Sequence, residues 1–134
     1  MAHILVTGAS GFVGAAVAAA LAARGDQVTA FDIALSPALQ KIAAQHDNVR
    51  AVIGEVTECP AVMALFQSDP PDCVFHAAAI VGVVASVRTP LRTFEVNVQG
   101  SINLFEAMRL FGTKRMVHMS SEETYGPFES PLIT

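Results

Sequence analysis

The amino-acid sequence predicts an α/β fold, a doubly wound parallel sheet of Rossmann type. Short apolar runs typical of strands alternate along the 134 residues with longer patterns of helical period. The first apolar run, residues 4–6, leads into three glycines spaced three residues apart, and an alanine-rich helical pattern follows them. Right-handed crossovers between successive parallel strands then favour the strand order 3-2-1-4-5.

The apolar runs predict five strands and four helices. The strands are expected over residues 3–7, 27–32, 49–53, 72–76 and 114–119. The helices are expected over residues 11–24, 36–45, 60–67 and 90–111. Gly25 and Gly112 suit the left-handed residue that follows many helices, and Pro37 suits a first helical turn. The turn-rich residues 68–72 separate the third helix from the fourth strand.

The three glycines predict a cradle for the phosphates of a dinucleotide. Gly8 permits a tight turn from strand to helix, Gly11 has no Cβ to obstruct a pyrophosphate, and Gly14 allows the helix to pack closely. The helix N-terminus adds unpaired N–H groups and the positive end of a dipole. The residues expected to contact the phosphates are Gly8, Ser10, Gly11, Phe12, Val13 and Gly14.

A carboxylate at the end of the second strand predicts which dinucleotide binds. Asp32 lies 18 residues after Gly14, and an acid there can accept hydrogen bonds from both hydroxyls of an adenosine ribose. Its neighbour Ile33 is expected to contact the same ligand. No Arg or Lys within the next eight residues could neutralise a 2′-phosphate, so NAD is favoured over NADP. The alternative is that Asp32 is a loop residue that caps the segment starting at Ser36.

The composition indicates one domain that is rich in apolar residues. Apolar residues make up 52% of the chain and charged residues 15%, whereas about a quarter of the residues of a typical soluble domain are charged. A parallel sheet that is buried on both faces explains part of this excess. A missing covering layer is expected to explain the rest.

The sequence also argues against several classes of protein. The longest apolar run, residues 73–85, is shorter than the roughly 20 residues that a membrane-spanning helix needs, so no membrane partner is expected. No secretory signal precedes the first strand, which predicts a cytoplasmic location. A net charge of −4 with 8 scattered basic residues predicts no nucleic-acid binding. Cys59 and Cys73 lack a CxxC spacing and predict neither a metal site nor a disulfide.

Four segments of the chain together resemble the motifs of a known family. They are residues 7–14 (TGASGFVG), 76–79 (HAAA), 97–104 (NVQGSINL) and 120–126 (SSEETYG). In this order they resemble the TGxxGxxG, HxAA, NVxGTxNL and SSxxxYG segments of the extended short-chain dehydrogenases, also called the NAD-dependent epimerase/dehydratase family. The resemblance covers nearly the whole chain and implies an NAD-dependent enzyme.

The resemblance also implies further cofactor contacts. The family's stretch that matches Ala77, Ala78 and Ala79 runs beside the ribose and phosphates of the cofactor, and small side chains let a ligand lie against the backbone. Glu55 stands where the family usually has an Asp whose neighbourhood meets the adenine. Val56 is expected to line the same adenine pocket.

Two polar residues have structural interpretations. Asn97 is counted with the cofactor-binding residues and is expected to tie the fourth helix to a neighbouring strand. His76 is interpreted as a strand-end histidine whose ring is satisfied by the backbone, in preference to a catalytic role.

The resemblance places the catalytic residues in the SSxxxYG segment. The family's Ser or Thr four residues before the tyrosine hydrogen-bonds the reacting hydroxyl or carbonyl, and that position is Ser121. Glu122 and Glu123 occupy places at which sugar dehydratases of the family carry acids that remove a proton and protonate a leaving hydroxyl. The alternatives are that the two glutamates have no such duty or that the segment is a solvated turn.

The family's general base, the tyrosine of a YxxxK motif, is not found in the sequence. Tyr125 is the only tyrosine, and Glu129 stands where the lysine would be. We therefore expect residues 1–134 to be an incomplete NAD-binding Rossmann domain, the N-terminal portion of a longer protein that lacks the Tyr/Lys helix and the substrate domain. By resemblance, the fourth helix contributes to a homodimer interface.

These expectations lead to two principal hypotheses about function. The first is an NAD-dependent enzyme of the epimerase/dehydratase type that acts on a sugar or nucleotide-sugar through transient hydride transfer. The second is an NAD-binding regulatory or scaffold module without turnover, and a YxxxK motif in the continuing sequence would discriminate between the two. A flavin-binding domain fits the TGxxGxxG and SSxxxYG segments less well.

Overall fold

The computed structural model describes residues 1–126. Five parallel strands form one sheet in the order β3-β2-β1-β4-β5, which confirms the predicted topology. The strands are β1 (His3–Thr7), β2 (Gln27–Asp32), β3 (Val49–Ile53), β4 (Cys73–His76) and β5 (Met116–His118). The bounds of the first three agree with the prediction, and β4 and β5 are shorter than predicted. The expected domain extends to residue 134, so its last part, residues 127–134, lies outside the described residues.

Helices cover both faces of the sheet. They are α1 (Phe12–Ala23), α2 (Pro37–Gln45), α3 (Cys59–Ser68), α4 (Val83–Arg88), α5 (Pro90–Phe94), a π-helical segment (Glu95–Gln99), α6 (Gly100–Phe111) and a short 3₁₀ helix (Glu122–Tyr125). As predicted, Gly25 and Gly112 adopt positive φ after α1 and α6. Ser36 caps α2 by accepting a hydrogen bond from Leu39 N–H at 3.2 Å.

The helices differ from the prediction in two respects. Residues 90–111 are not one regular helix, because the π-helical segment lies between α5 and α6. Hydrophobic periodicity does not reveal such a segment, since a π turn adds one residue without changing the type of side chain. Helix α4 was not predicted at all. Its sequence, VVASVR, has no buried residue and therefore no amphipathic pattern to identify it.

The core lies in two layers, one on each face of the sheet. Leu5 belongs to the layer formed with α3 and α6, and the adjacent Val6 belongs to the layer formed with α1 and α2. This division follows from the alternation of side chains along a strand. Burial on both faces accounts for much of the apolar composition, as expected for a parallel sheet.

Exposed apolar side chains on α4, α5, the π-helical segment and α6 account for a further part of the composition. They include Val83, Val84, Val87, Leu91, Phe94, Val98, Ile102, Phe105 and Leu110. We call these residues the apolar helix face. Strand β5 is an edge of the sheet, and Val117 on it is half exposed. No helix within residues 1–126 is long and apolar enough to cross a membrane.

Candidate functional site

A cavity of about 470 Å³ lies at the carboxyl ends of the strands. Ligands of open α/β sheets bind where the strand order reverses, which here is between β1 and β4. We call this cavity the crevice. It is lined by Gly8, Ser10, Gly11, Phe31, Asp32, Ile33, Gly54, Glu55, Val56, Ala77, Ala78, Ala79, Ile80, Arg92 and Val96. The structure thus brings most of the predicted cofactor-binding residues together.

The glycine loop is packed so tightly that side chains are excluded at two of its positions. A Cβ on Gly8 would lie 2.6 Å from the carbonyl carbon of Ala77, and Gly8 also has a φ of +68°. A Cβ on Gly14 would lie 2.0 Å from the carbonyl oxygen of Gly8. A Cβ on Gly11 would meet only that same oxygen, at 3.2 Å, so this position is open towards the crevice. Backbone therefore forms the surface that a ligand would touch.

Helix α1 begins at this loop with Gly11 as its N-cap, and no side chain within residues 1–126 caps it. The first N–H groups of a helix have no partner inside the helix, and the dipole makes this end positive. The side chains of Phe12 and Val13 are exposed, and neither these residues nor Gly14 line the crevice. Any contact from them to a bound phosphate would come from the backbone.

Asp32 is held against the glycine loop. Its Oδ2 accepts a hydrogen bond from Ser10 N–H at 2.8 Å, and its Oδ1 accepts one from Ile33 N–H at 2.7 Å. Ser10 Oγ in turn accepts a hydrogen bond from Ser36 N–H at 3.0 Å. The alternative that Asp32 caps the following segment was wrong, because Ser36 caps α2. The carboxylate is therefore fixed beside the loop, and Asp32 lines the crevice.

The far wall of the crevice follows β3. Gly54 packs against the ring of Phe31, since a Cβ on Gly54 would lie 2.5 Å from that ring. The next residue, Glu55, forms an ion pair with Arg92 of α5. Arg92 is one of the 8 scattered basic residues of the chain and was not among the predicted site residues. Only the tertiary structure brings this guanidinium to the crevice.

A buried chain of hydrogen bonds lies beneath the crevice. Ala78 N–H donates to Thr7 Oγ1 at 3.3 Å, and Thr7 Oγ1 lies 2.7 Å from His76 Nδ1. His76 Nε2 lies 2.9 Å from Ser101 Oγ, which donates to the carbonyl of Asn97 at 2.8 Å. Ser101 donates its only proton to Asn97, so His76 Nε2 must donate to Ser101 Oγ. A neutral imidazole has a single N–H, so Nδ1 carries no proton and accepts one from the Thr7 hydroxyl. The expectation that the backbone satisfies His76 was wrong, because two hydroxyl groups do so.

Burial and charge keep His76 neutral. The residue is almost completely buried, and the ring of His118 lies 5.1 Å away between centroids. Burial, with a smaller contribution from His118, lowers the pKa of His76 from 6.5 to about 4. The ring therefore acts as a neutral connector between β1, β4 and α6, and it does not line the crevice.

Asn97 connects the π-helical segment to the loop after β4. Its Nδ2 donates to the carbonyl of Ile80 at 2.9 Å, and its Oδ1 accepts from Ile80 N–H at 2.8 Å. Both hydrogen bonds of the Asn97 side-chain amide therefore go to the backbone of Ile80, a residue that lines the crevice. The predicted tie is present, although its partner lies in the loop and not in the strand. Asn97 itself does not line the crevice.

The predicted catalytic residues lie elsewhere on the surface. Ser121 is the N-cap of the 3₁₀ helix, and its Oγ accepts a hydrogen bond from Glu123 N–H at 3.3 Å. Ser121, Glu122 and Glu123 are exposed, and none of them lines the crevice. The structure places this segment directly after β5, at the same end of the sheet as the crevice.

Comparison with known proteins relates the site to a family. A model of the NAD dependent epimerase/dehydratase family matches residues 4–134. UDP-glucose 4-epimerase from Pisum sativum is 32% identical over 139 residues, which cover 97% of this chain and 40% of the relative. A 3-beta-hydroxysteroid dehydrogenase from Mycolicibacterium neoaurum is 35% identical over 123 residues, which cover 89% of this chain and 32% of the relative.

A solved structure agrees with these relatives. The UDP-glucose-4-epimerase from Stenotrophomonas maltophila, which holds NAD and formylated UDP-arabinopyranose, matches 99% of this chain with a TM-score of 0.88 and 28% identity. The match covers 41% of that chain, so the present chain spans about two fifths of its length. The predicted cofactor, NAD, is the one in that structure. The motifs, the strand order and the family match agree, and this chain belongs to the NAD dependent epimerase/dehydratase family.

Proposed function

We propose that this chain binds NAD in the crevice and forms the cofactor-binding part of an enzyme that transiently oxidises a hydroxyl group of a sugar or nucleotide-sugar. The observation that carries this proposal is the hydrogen bond from Ser10 N–H to Asp32 Oδ2. It holds a carboxylate beside a loop whose glycines exclude side chains, as a dinucleotide requires. Family membership supports the same assignment.

The positions of the lining residues suggest which part of the crevice would hold each part of NAD. The glycine loop at the positive end of α1 would hold the pyrophosphate, because Gly8 and Gly11 place no side chain there. Asp32 would accept hydrogen bonds from the adenosine ribose, and Val56 would line the adenine pocket beside β3. Ala77, Ala78 and Ala79 would contact the remainder of the cofactor.

The catalytic proposal rests on Ser121. Bound NAD would supply the hydride acceptor for the carbon that carries the reacting hydroxyl, and the proton of that hydroxyl would pass to a general base. The hydroxyl of Ser121 accepts a hydrogen bond from that alcohol and donates one to the carbonyl that replaces it. In a dehydratase, Glu122 and Glu123 would divide the roles of base and acid. In an epimerase they would not take part.

The general base is proposed to come from sequence beyond residue 134. Tyr125 is the only tyrosine among the 134 residues, and its fourth successor is Glu129. The relatives described above are longer, since the matched regions cover 32% and 40% of their lengths. A YxxxK motif and a substrate-binding domain in the remainder would complete the enzyme.

Sugar and steroid substrates remain distinguishable by experiment. The epimerase from Pisum sativum supports the sugar proposal, and the dehydrogenase from Mycolicibacterium neoaurum supports a 3β-hydroxysteroid. We favour the sugar because the solved structure that holds a UDP-sugar matches almost the entire chain. Incubation of the full-length protein with NAD and either UDP-glucose or a 3β-hydroxysteroid would discriminate the two by product analysis.

A binding module without turnover is the second candidate. The observation that favours it is the position of Ser121, Glu122 and Glu123, which are exposed and outside the crevice lining. A full-length protein that binds NAD with a normal affinity but converts neither a sugar nor a 3β-hydroxysteroid would support this candidate.

The proposed NAD site is tested by titration calorimetry with NAD and NADP. Substitution Asp32→Asn removes the charge, so we expect NAD affinity to fall by about tenfold or more, the scale of a hydrogen bond to a charged group. The preference for NAD over NADP should narrow in the same variant. Asp47→Asn, an exposed carboxylate between α2 and β3, is the matched control. An unchanged affinity in Asp32→Asn would contradict the ribose contact.

The oligomeric state of the protein is also a proposal. A homodimer formed through the apolar helix face is supported by the large number of exposed apolar side chains there. The cytoplasmic location and the lack of nucleic-acid binding stay predictions from the sequence.

A further inference from the structure

Arg92 and Glu55 join two separate parts of the crevice wall. Glu55 follows β3, whereas Arg92 lies on α5, which comes after β4 in the chain. Their side chains form an ion pair across this end of the cavity, and both residues line it. The side chains are 41% and 26% exposed for Arg92 and Glu55, so the pair is partly screened from water. This contact lies at the β3 end of the crevice.

The strand order identifies which part of a dinucleotide would meet this pair. The phosphates lie at the glycine loop after β1, and the adenosine ribose lies at Asp32 after β2. The next strand outward is β3. The base attached to that ribose therefore faces the segment after β3, which contains Glu55.

The guanidinium of Arg92 is held by carboxylates of two different elements. One is Glu55, and the other is Glu95, whose Oε2 lies 3.5 Å from Arg92 Nη1 one turn further along the helix. Arg92 is the only cationic side chain that lines the crevice within residues 1–126. The ion pair with Arg92 restricts the rotamers of the Glu55 side chain.

The pair leaves hydrogen-bonding capacity for a ligand. Arg92 contacts Oε1 of Glu55. The second oxygen, Oε2, can accept a further hydrogen bond, because an ionised carboxylate accepts several. A glutamate is longer than an aspartate by one methylene and has more rotamers, so a fixed partner is needed to direct that oxygen.

We propose that Arg92 is a positioning residue that makes the site specific for a 6-aminopurine. It holds the carboxylate of Glu55 so that Oε2 accepts an N–H from the exocyclic amino group of adenine. A 6-oxopurine presents a carbonyl oxygen at that place, which repels the carboxylate. This inference rests on the proposed binding of NAD in the crevice.

The test compares two cofactors that differ only at this group. Titration calorimetry on the purified protein measures the affinities for NAD and for nicotinamide hypoxanthine dinucleotide. We expect the protein to prefer NAD by about tenfold or more, the scale of one charge-assisted hydrogen bond. Arg92→Met keeps much of the side-chain volume but removes the charge, and it should reduce this preference to about one- to threefold. Arg92→Lys should retain part of it.

Two further variants provide the controls. Arg88→Met removes an exposed arginine one turn earlier, on α4, and should leave the preference unchanged. Glu55→Gln should lose the preference, and its combination with Arg92→Met should cause little further loss, because the two side chains act as one unit.

The outcomes separate this inference from the proposed function. If Arg92→Met weakens both cofactors equally and retains the preference, Arg92 is only structural and the inference is wrong. If the unaltered protein binds both cofactors equally, Glu55 does not read the base and the inference also fails, while NAD binding stands. If the unaltered protein binds neither cofactor, the proposed NAD site itself is wrong.

Discussion

Thr7 and His76 face each other at the carboxyl ends of β1 and β4, with Thr7 Oγ1 2.7 Å from His76 Nδ1. Both side chains are almost completely inaccessible to water. Thr7 directly precedes the first glycine of the glycine loop, and His76 directly precedes the alanines on the opposite wall. The hydrogen bond therefore joins the two sides of the crevice at the point where the strand order reverses.

The first prediction concerns the removal of this connector. His76→Ala leaves the hydroxyl groups of Thr7 and Ser101 without their partner and creates a cavity. The free energy of unfolding should fall by about 2–4 kcal/mol, measured by urea denaturation. His118→Ala, at the exposed neighbour, should change it by less than about 1 kcal/mol. If the two substitutions lowered the free energy of unfolding equally, the buried hydrogen bonds of His76 would make no particular contribution to stability.

The second prediction concerns the pH dependence of stability. The pKa of His76 is about 4 in the folded protein and about 6.5 in a model peptide, so the unfolded state binds the proton more readily. Its contribution to stability is therefore fully present above pH 6.5 and is lost as the pH falls from 6.5 towards 4.

Urea denaturation at pH 7.5 and pH 5 measures this loss. The fall in unfolding free energy should be about 1–2 kcal/mol, since one pH unit corresponds to about 1.4 kcal/mol per proton. His76→Gln cannot titrate, so its dependence over this range should be flatter by that amount. If the unfolding free energy of His76→Gln depended on pH as steeply as that of the unaltered protein, other groups would be responsible for the pH dependence.

The third prediction separates backbone strain from steric exclusion in the glycine loop. Gly8 and Gly25 both have positive φ, at 68° and 90°, but only a Cβ on Gly8 meets other atoms. Gly25→Ala should cost about 1–2 kcal/mol for the left-handed backbone alone. Gly8→Ala should cost at least about 2 kcal/mol more, because the new methyl group overlaps the Ala77 backbone.

Thermal and urea unfolding of the two variants measure this difference. Because the loop must move to accept the methyl group, Gly8→Ala should also reduce NAD binding, whereas Gly25→Ala should not. If Gly8→Ala and Gly25→Ala lost the same unfolding free energy, the glycine loop would accommodate the new methyl group without cost, and the predicted steric exclusion would be wrong.

The fourth prediction concerns the apolar helix face. Phe94 and Phe105 are 57% and 51% exposed, and a face this apolar is typical of a protein interface. Phe94→Glu and Phe105→Glu should each shift a dimer towards monomer in sedimentation velocity, because a carboxylate is costly to bury. Lys41→Glu, on α2 at the other face of the sheet, is the control. Monomeric behaviour of the unaltered protein at micromolar concentration would contradict the proposed homodimer.

Local patterns in the sequence predicted the fold well. The glycines at positions 8, 11 and 14 and the apolar runs are sufficient for the topology, because strand length, turn chemistry and crossover handedness depend on neighbouring residues. The π-helical segment and α4 were not predicted. Neither produces a distinctive periodicity, and α4 buries no side chain.

The amino-acid sequence alone determined the α/β class, the strand order, the glycine loop and the position of Asp32, because each depends on residue types at short, fixed spacings. Only the tertiary structure decided the partners of His76 and the arrival of Arg92 at Glu55. These contacts join residues that are 25 or more positions apart, and the packing of helices on the sheet brings them together. The sequence pattern contains no signal for such pairs, since an isolated arginine or histidine looks the same whether it is solvated or buried.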